Sequence, residues 1–152
     1  MLLTVAGIVA IVAVINAIMP EVSRTSSTLV STAGVIEGRI STQIEIIHAG
    51  GQDGGTTADV WIKNVGASTI TAPDRMDVFF GPQGNFQRIP YGADSSCTAP
   101  CWYYSIENDT AWRPTATVHM TLKLSTALAT GTTYYVQVVA PSGSTDAKYF
   151  TV

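Results

Sequence analysis

The sequence predicts an α+β chain: a long apolar N-terminal α-helix followed by an immunoglobulin-like antiparallel β-sandwich. Three observations carry that prediction. The first twenty residues, Met1 to Pro20, contain no charged side chain. The hydrophobic period is helical up to about Gln43 and changes to two from Ile44 onward. Turn residues then recur at intervals of roughly 8–12 positions, the rhythm of short sandwich strands.

The N-terminal segment is long enough for a span of about 20 residues. It has neither the basic flank of a secretory signal peptide nor Lys or Arg that would set its orientation. Its small residues are ordered: Ala6, Ala10, Ala13 and Ala17 follow one another at helical spacing and form a stripe. Such a stripe lets helices approach closely in an apolar medium. Ile8, Ile11 and Ile15, with the valines between them, cover the remaining faces. A helix apolar all round must be buried all round, in lipid or among identical helices. Pro20 kinks or interrupts it. Beyond Pro20 an amphipathic stripe of Val22, Leu29, Ala33, Ile36 and Ile40 continues to about Gln43, weakened by Gly34 and Gly38. This divides the chain into an assembly helix, residues 1–43, and a β domain, residues 44–152. A membrane anchor with a stalk is the plainer alternative for the first part.

Strands are expected at Ile44–Ala49, Thr57–Asn64, Arg75–Phe80, Phe86–Pro90, Trp102–Ile106, Thr117–Leu124, Thr132–Val139 and Thr145–Val152. Alternation places Ala58, Val60 and Ile62 on one face, and likewise Met76, Val78 and Phe80. The glycine-rich Gly50–Gly55 stretch reads as a loop, and Gly81-Pro82-Gln83-Gly84 as a turn rather than a phosphate cradle.

Composition narrows the function. Charged residues make up only 12% of the chain and the net charge is −3, with no basic cluster. Nucleic-acid binding, which needs a basic face, is therefore excluded. Cys97 and Cys101 cannot close a zinc site alone, and they lack the spacing of a redox dithiol. A local disulfide in an oxidising compartment is the favoured reading, with two free thiols the alternative. His48 and His119 have no Ser, Cys or carboxylate close by in sequence to form a relay, so both read as half-exposed strand residues rather than catalytic ones. The aspartates are scattered and match no calcium-loop motif. No catalytic residue, metal or cofactor is called for. Asn108-Asp109-Thr110 is a sequon, which makes Asn108 a candidate N-glycosylation acceptor. Trp102, Tyr103 and Tyr104 read as a strand with one aromatic face in the core and one exposed, the exposed face being a candidate subunit contact.

The first 48 residues resemble the N-terminal region of archaellum filament proteins, both archaellins and FlaF/FlaG-type components of the type IV pilin-like superfamily. The stretch Asn16-Ala17-Ile18-Met19-Pro20-Glu21-Val22 and the passage from Gly38 to Ala49 look most like the FlaG type. Near the other end, Gly131 to Gly143 looks like the terminal hairpin of the same β-sandwich family. The resemblance implies export as a preprotein, removal of a short basic leader by a prepilin-type peptidase, and retention of the apolar helix. No leader precedes Met1 in this numbering. Bacterial type IV pilins carry Glu as the fifth mature residue; Val5 stands there if Met1 is the first, which favours the archaellum branch.

The expected function is that of a structural subunit of an archaellum-like surface filament, serving swimming and adhesion. Its partners would be copies of itself, the membrane before assembly, and the archaellum assembly platform with its ATPase. The alternative is a minor FlaG/FlaF-type component that anchors the motor to the cell envelope by binding surface-layer protein.

Overall fold

The computed structural model describes residues 41–152. The expected helix of residues 1–43, with its Ala6, Ala10, Ala13, Ala17, Ile8, Ile11 and Ile15 packing stripe, lies outside the described residues except for its last three positions.

Eight strands form two four-stranded antiparallel sheets. They are β1 (Ile44–Gly51), β2 (Thr57–Asn64), β3 (Asp77–Pro82), β4 (Gln87–Ile89), β5 (Cys101–Glu107), β6 (Thr117–Lys123), β7 (Thr133–Val139) and β8 (Thr145–Thr151). One sheet has the order β1-β2-β6-β5 and the other β4-β3-β7-β8. Alternation decides which side chains meet between them. Val60, Ile62, Val118, Met120, Leu122 and Trp102 project inward from the first sheet, and Val78, Phe80, Val136 and Val138 from the second. Each large side chain so buried is worth about 1.5–3 kcal/mol over leaving it in water.

All eight expected strands are present, with the ends of all but β2 shifted. β3 begins two residues later than expected because Pro73–Arg75 forms a 3₁₀ turn, with proline supplying the fixed φ of its first turn. It then runs on through Gly81-Pro82, which were expected to turn; the chain reverses at Gln83-Gly84 instead. β1 continues through Gly50 and Gly51, which pair with Asp59 and Ala58. Gly51 belongs there because a Cβ would collide with the Leu128 side chain.

The strand also carries a bulge between Ile46 and His48. Strict alternation from Ile46 would send His48 inward. The bulge leaves both Ile47 and His48 outside and returns Ala49 to the core.

Side chains from the second sheet close one flank of the sandwich. Ser144 accepts from the Ile44 amide at 3.2 Å, and Asp146 Oδ2 accepts from the Ile46 amide at 2.6 Å. Lys148 Nζ donates to the Ile46 and Ile47 carbonyls at 3.2 and 3.0 Å. The exposed edge of β1 is thus satisfied by β8 without a ladder between them.

Near the start of β1, a buried asparagine ties three segments together. Asn64 is fully buried. Its Nδ2 donates to the Ser68 carbonyl at 2.9 Å and the Trp112 carbonyl at 3.0 Å, and its Oδ1 accepts from the Gly66 amide at 3.0 Å. The turn so fixed donates from Val65 and Gly66 to the Gln43 carbonyl, and from Ala67 and Ser68 to the Ser41 carbonyl.

Candidate assembly surfaces

The two outward faces differ in chemistry. On the β1-β2-β6-β5 face, register sets Trp61 of β2 beside His119 of β6 and beside His48 of β1. The indole stacks on the His119 imidazole at 4.4 Å with the planes 3° apart, and His48 packs against its ring at 5.3 Å. His119 Nε2 lies 2.9 Å from Asp59 Oδ1, and its Nδ1 lies 3.7 Å from Glu107 Oε1. Trp61 Nε1 donates to that same Glu107 oxygen at 3.3 Å.

Sequence proximity had offered His119 no carboxylate; the register supplies two, from strands 60 positions upstream and 12 positions before it. Thr121 Oγ1 donates to Asp59 Oδ1 at 2.9 Å, the same oxygen that faces His119, so the hydroxyl is not aimed at the base. Among the described residues no group of three His, Cys, Asp or Glu is placed to hold a metal.

The β4-β3-β7-β8 face is aromatic and nearly free of charge. Phe86, Tyr135 and Tyr149 form a row with ring centres 4.9 and 5.0 Å apart. Phe86 and Tyr149 are 48% and 56% exposed, a large apolar surface for a domain to leave in water. Gly81 makes the row possible. A Cβ there would run into the Asn85 carbonyl and the Phe86 backbone, so only glycine lets the turn fold back over β3. The charges at the margin of this face, Asp77 and Arg88, pair with each other at 2.6 Å.

On the Trp102-Tyr103-Tyr104 strand the outward ring, Tyr103, is only half-buried. Trp102 is completely buried and Tyr104 packs against the core, so the inward aromatic side expected of that strand is present. Burial raises the Tyr104 phenol, with the neighbouring Tyr91 and Asp74 adding to the effect. The sequence signal for the Phe86-Tyr135-Tyr149 row was weak, because its three rings come from a turn and two strands.

Cys97 and Cys101 are joined in a disulfide, with Cα atoms 6.3 Å apart. The bridge lies against Gly92, where a Cβ would strike Cys97. Lys123 Nζ holds the same loop by donating to the Ser95 and Cys97 carbonyls, both at 3.0 Å. Within that loop Asp94 is held below the usual aspartate range by hydrogen bonds from the Ser96 side chain and amide.

Asn108 is exposed at the end of β5, with φ of 63°. The loop it opens is fixed by Asp109, which accepts from the Thr110 amide at 2.6 Å and from Arg113 Nη1 at 2.8 Å. The first of these bonds, helped by the Arg113 charge, lowers the Asp109 carboxyl. At the opposite end of the sandwich a cleft of about 340 Å³ is bordered by Phe80, Ile89, Leu124, Leu128 and Tyr134, with no charged group in its lining.

Known proteins share this architecture. The chain matches the archaeal-type flagellin family over residues 1–150. No curated protein sequence matches it. Among solved structures, the archaellum periplasmic stator protein FlaG from Sulfolobus acidocaldarius is 28% identical, with a TM-score of 0.62 over 72% of this chain and 99% of that one. The complex of the stator proteins FlaF and FlaG from the same organism contains a chain 29% identical, with a TM-score of 0.62 over 72% and 89%. The archaeal flagellum of Methanospirillum hungatei strain JF1 is 12% identical, with a TM-score of 0.66 over 99% and 90%, which shows a common fold. With a family match running through both the apolar segment and the sandwich, the chain belongs to the archaeal-type flagellin family and is an archaellum component.

Proposed function

We propose that this chain is a structural, non-catalytic archaellum component of the stator type, acting at the cell envelope rather than as the main filament protein. One observation carries the choice. At nearly equal TM-scores, identity is 28–29% to the stator proteins but 12–13% to filament proteins of other archaea. The sequence alone ranks the filament role first.

In this reading residues 1–43 are an assembly helix, held in the cytoplasmic membrane before assembly. Copies then pack through the stripe of Ala6, Ala10, Ala13 and Ala17, with Ile8, Ile11 and Ile15 buried between neighbours. Burial of apolar surface, worth about 25 cal/mol per Å², drives that association. Residues 44–152 form an immunoglobulin-like sandwich outside the membrane. Its partners are copies of itself, the archaellum platform and ATPase during assembly, and surface-layer protein. Asn108, exposed beside β5, is the proposed glycan acceptor. No cofactor is required, and the His119 cluster serves as a structural contact rather than a reaction centre.

The second reading, a main filament subunit used for swimming and adhesion, has one observation in its favour: the flagellin family match includes the apolar segment. Shearing filaments from cells and quantifying this chain by mass spectrometry separates the two. The stator reading expects the chain to be scarce in sheared filaments and to fractionate with the envelope. If it is the dominant filament band, the stator reading fails and the filament reading replaces it.

A further inference from the structure

The sandwich treats its sheet edges unequally. β1 is bulged, and its outward backbone groups are bonded by the Ser144, Asp146 and Lys148 side chains of the β8 segment. β4 is only three residues long and is followed by Pro90. These are recognised ways of keeping an edge from recruiting a strand. β5 has none of them over its second half.

The direction of its free groups follows from the hydrogen bonds at its start. Trp102 donates to the Pro90 carbonyl and accepts from the Gly92 amide, so the backbone groups of Trp102 point away from β6. Alternation then points the N–H and C=O of Tyr104 and Ile106 the same way. Among the described residues no backbone or side-chain group bonds them.

The open stretch has defined ends. On one side Tyr91 and Gly92 already occupy the edge beside Trp102. On the other, Asn108 leaves the extended conformation. What remains is Tyr103 to Glu107, centred on Ser105.

We propose that this edge pairs with the same edge of a second copy of the chain, antiparallel about a two-fold axis at Ser105. The inference rests on the stator reading, because a two-fold contact between copies is isologous whereas a helical filament propagates through heterologous ones. The register satisfies every free group: Tyr104 exchanges both its bonds with the second copy's Ile106, and Ile106 with the second copy's Tyr104. That makes four hydrogen bonds and joins two four-stranded sheets into one of eight. Charge agrees with it. Glu107 comes opposite the second copy's Tyr103, so the acidic groups do not meet, and a phenol donor faces a carboxylate. The two Ser105 side chains, exposed and on the outer face, stand directly opposite each other in a non-hydrogen-bonded pair, with Cα atoms roughly 4.5 Å apart.

That closeness is the test. In full-length, detergent-solubilised protein, Ser105→Cys should oxidise to a covalent dimer bridged through the two introduced thiols, since such a spacing lies within disulfide reach. Thr126→Cys, exposed at the end of the sandwich, should remain uncrosslinked. Ser105→Lys places like charges face to face and should weaken the dimer roughly twofold to fivefold in sedimentation equilibrium without altering the fold. The proposal is overturned if Ser105→Cys gives no more dimer than Thr126→Cys, if mapping places the bridge at other cysteines or on a different polypeptide, or if Ser105→Lys leaves association unchanged.

Discussion

Replacing Asn64 with alanine should be one of the most damaging single changes in the β domain. The side chain is fully buried and makes three hydrogen bonds, to the Ser68 and Trp112 carbonyls and from the Gly66 amide. The bond to Trp112 is itself buried, but that carbonyl keeps the Ile70 amide as a partner, so losing the bond costs about 0.5–1.5 kcal/mol. The other two bonds are partly buried, and each contributes about 0.5–1.5 kcal/mol. The sum is a loss of roughly 1.5–4.5 kcal/mol, a large share of a typical domain's total of about 5–15 kcal/mol. Asn64→Asp sharpens the argument. It keeps an acceptor for Gly66 but turns an anionic oxygen toward two carbonyls, so at neutral pH it should be at least as damaging as alanine. At low pH the protonated acid regains one donor, and the deficit should narrow. Urea unfolding followed by tryptophan fluorescence, with the disulfide intact, measures both variants. A loss below about 1 kcal/mol for Asn64→Ala would refute the account, because the three bonds together would then contribute less than such bonds ordinarily do.

The disulfide and the acidic loop after β5 make two smaller claims. Replacing Cys97 and Cys101 together with alanine frees a loop of five residues, for which chain entropy alone gives a loss of about 2 kcal/mol, read in the same urea assay. Asp109 has its carboxyl lowered in the folded state, so its contribution to the loop is present above the ordinary aspartate range and is lost as pH falls through the depressed value. An NMR titration should find its midpoint below that of a free aspartate, and Thr110→Pro, which removes the amide donor, should move the midpoint up.

Much of the β domain was legible because its strands are buried on one face only. In β2 the alternation of Ala58, Val60 and Ile62 matches the observed burial, and the strand's boundaries were as expected. Where the sequence misled, local chemistry competed with pattern. Gly50 and Gly51 look like a loop because glycine favours turns, yet Gly51 is selected by the nearness of Leu128. Pro73 holds β3 back by two residues through a 3₁₀ turn that hydrophobic alternation does not register. The surface clusters were not legible. His119 meets Asp59 only through the pairing of β2 with β6, and His48 reaches Trp61 only because a bulge turns it outward. Hydrophobic period fixes which face a residue occupies, while register decides its neighbours, and register is settled by long-range packing.

The clamp between β1 and β8 has a mechanical meaning. Any tension transmitted by the chain before residue 41 reaches the sandwich at β1, its first strand. A strand held by one ladder alone could be peeled off bond by bond. Here Ile44 pairs with Asn64 in its own sheet and is bonded to Ser144 of the other, with Asp146 and Lys148 repeating the attachment two residues further on. Drawing β1 out therefore loads both sheets at once. The pull is spread over the whole sandwich.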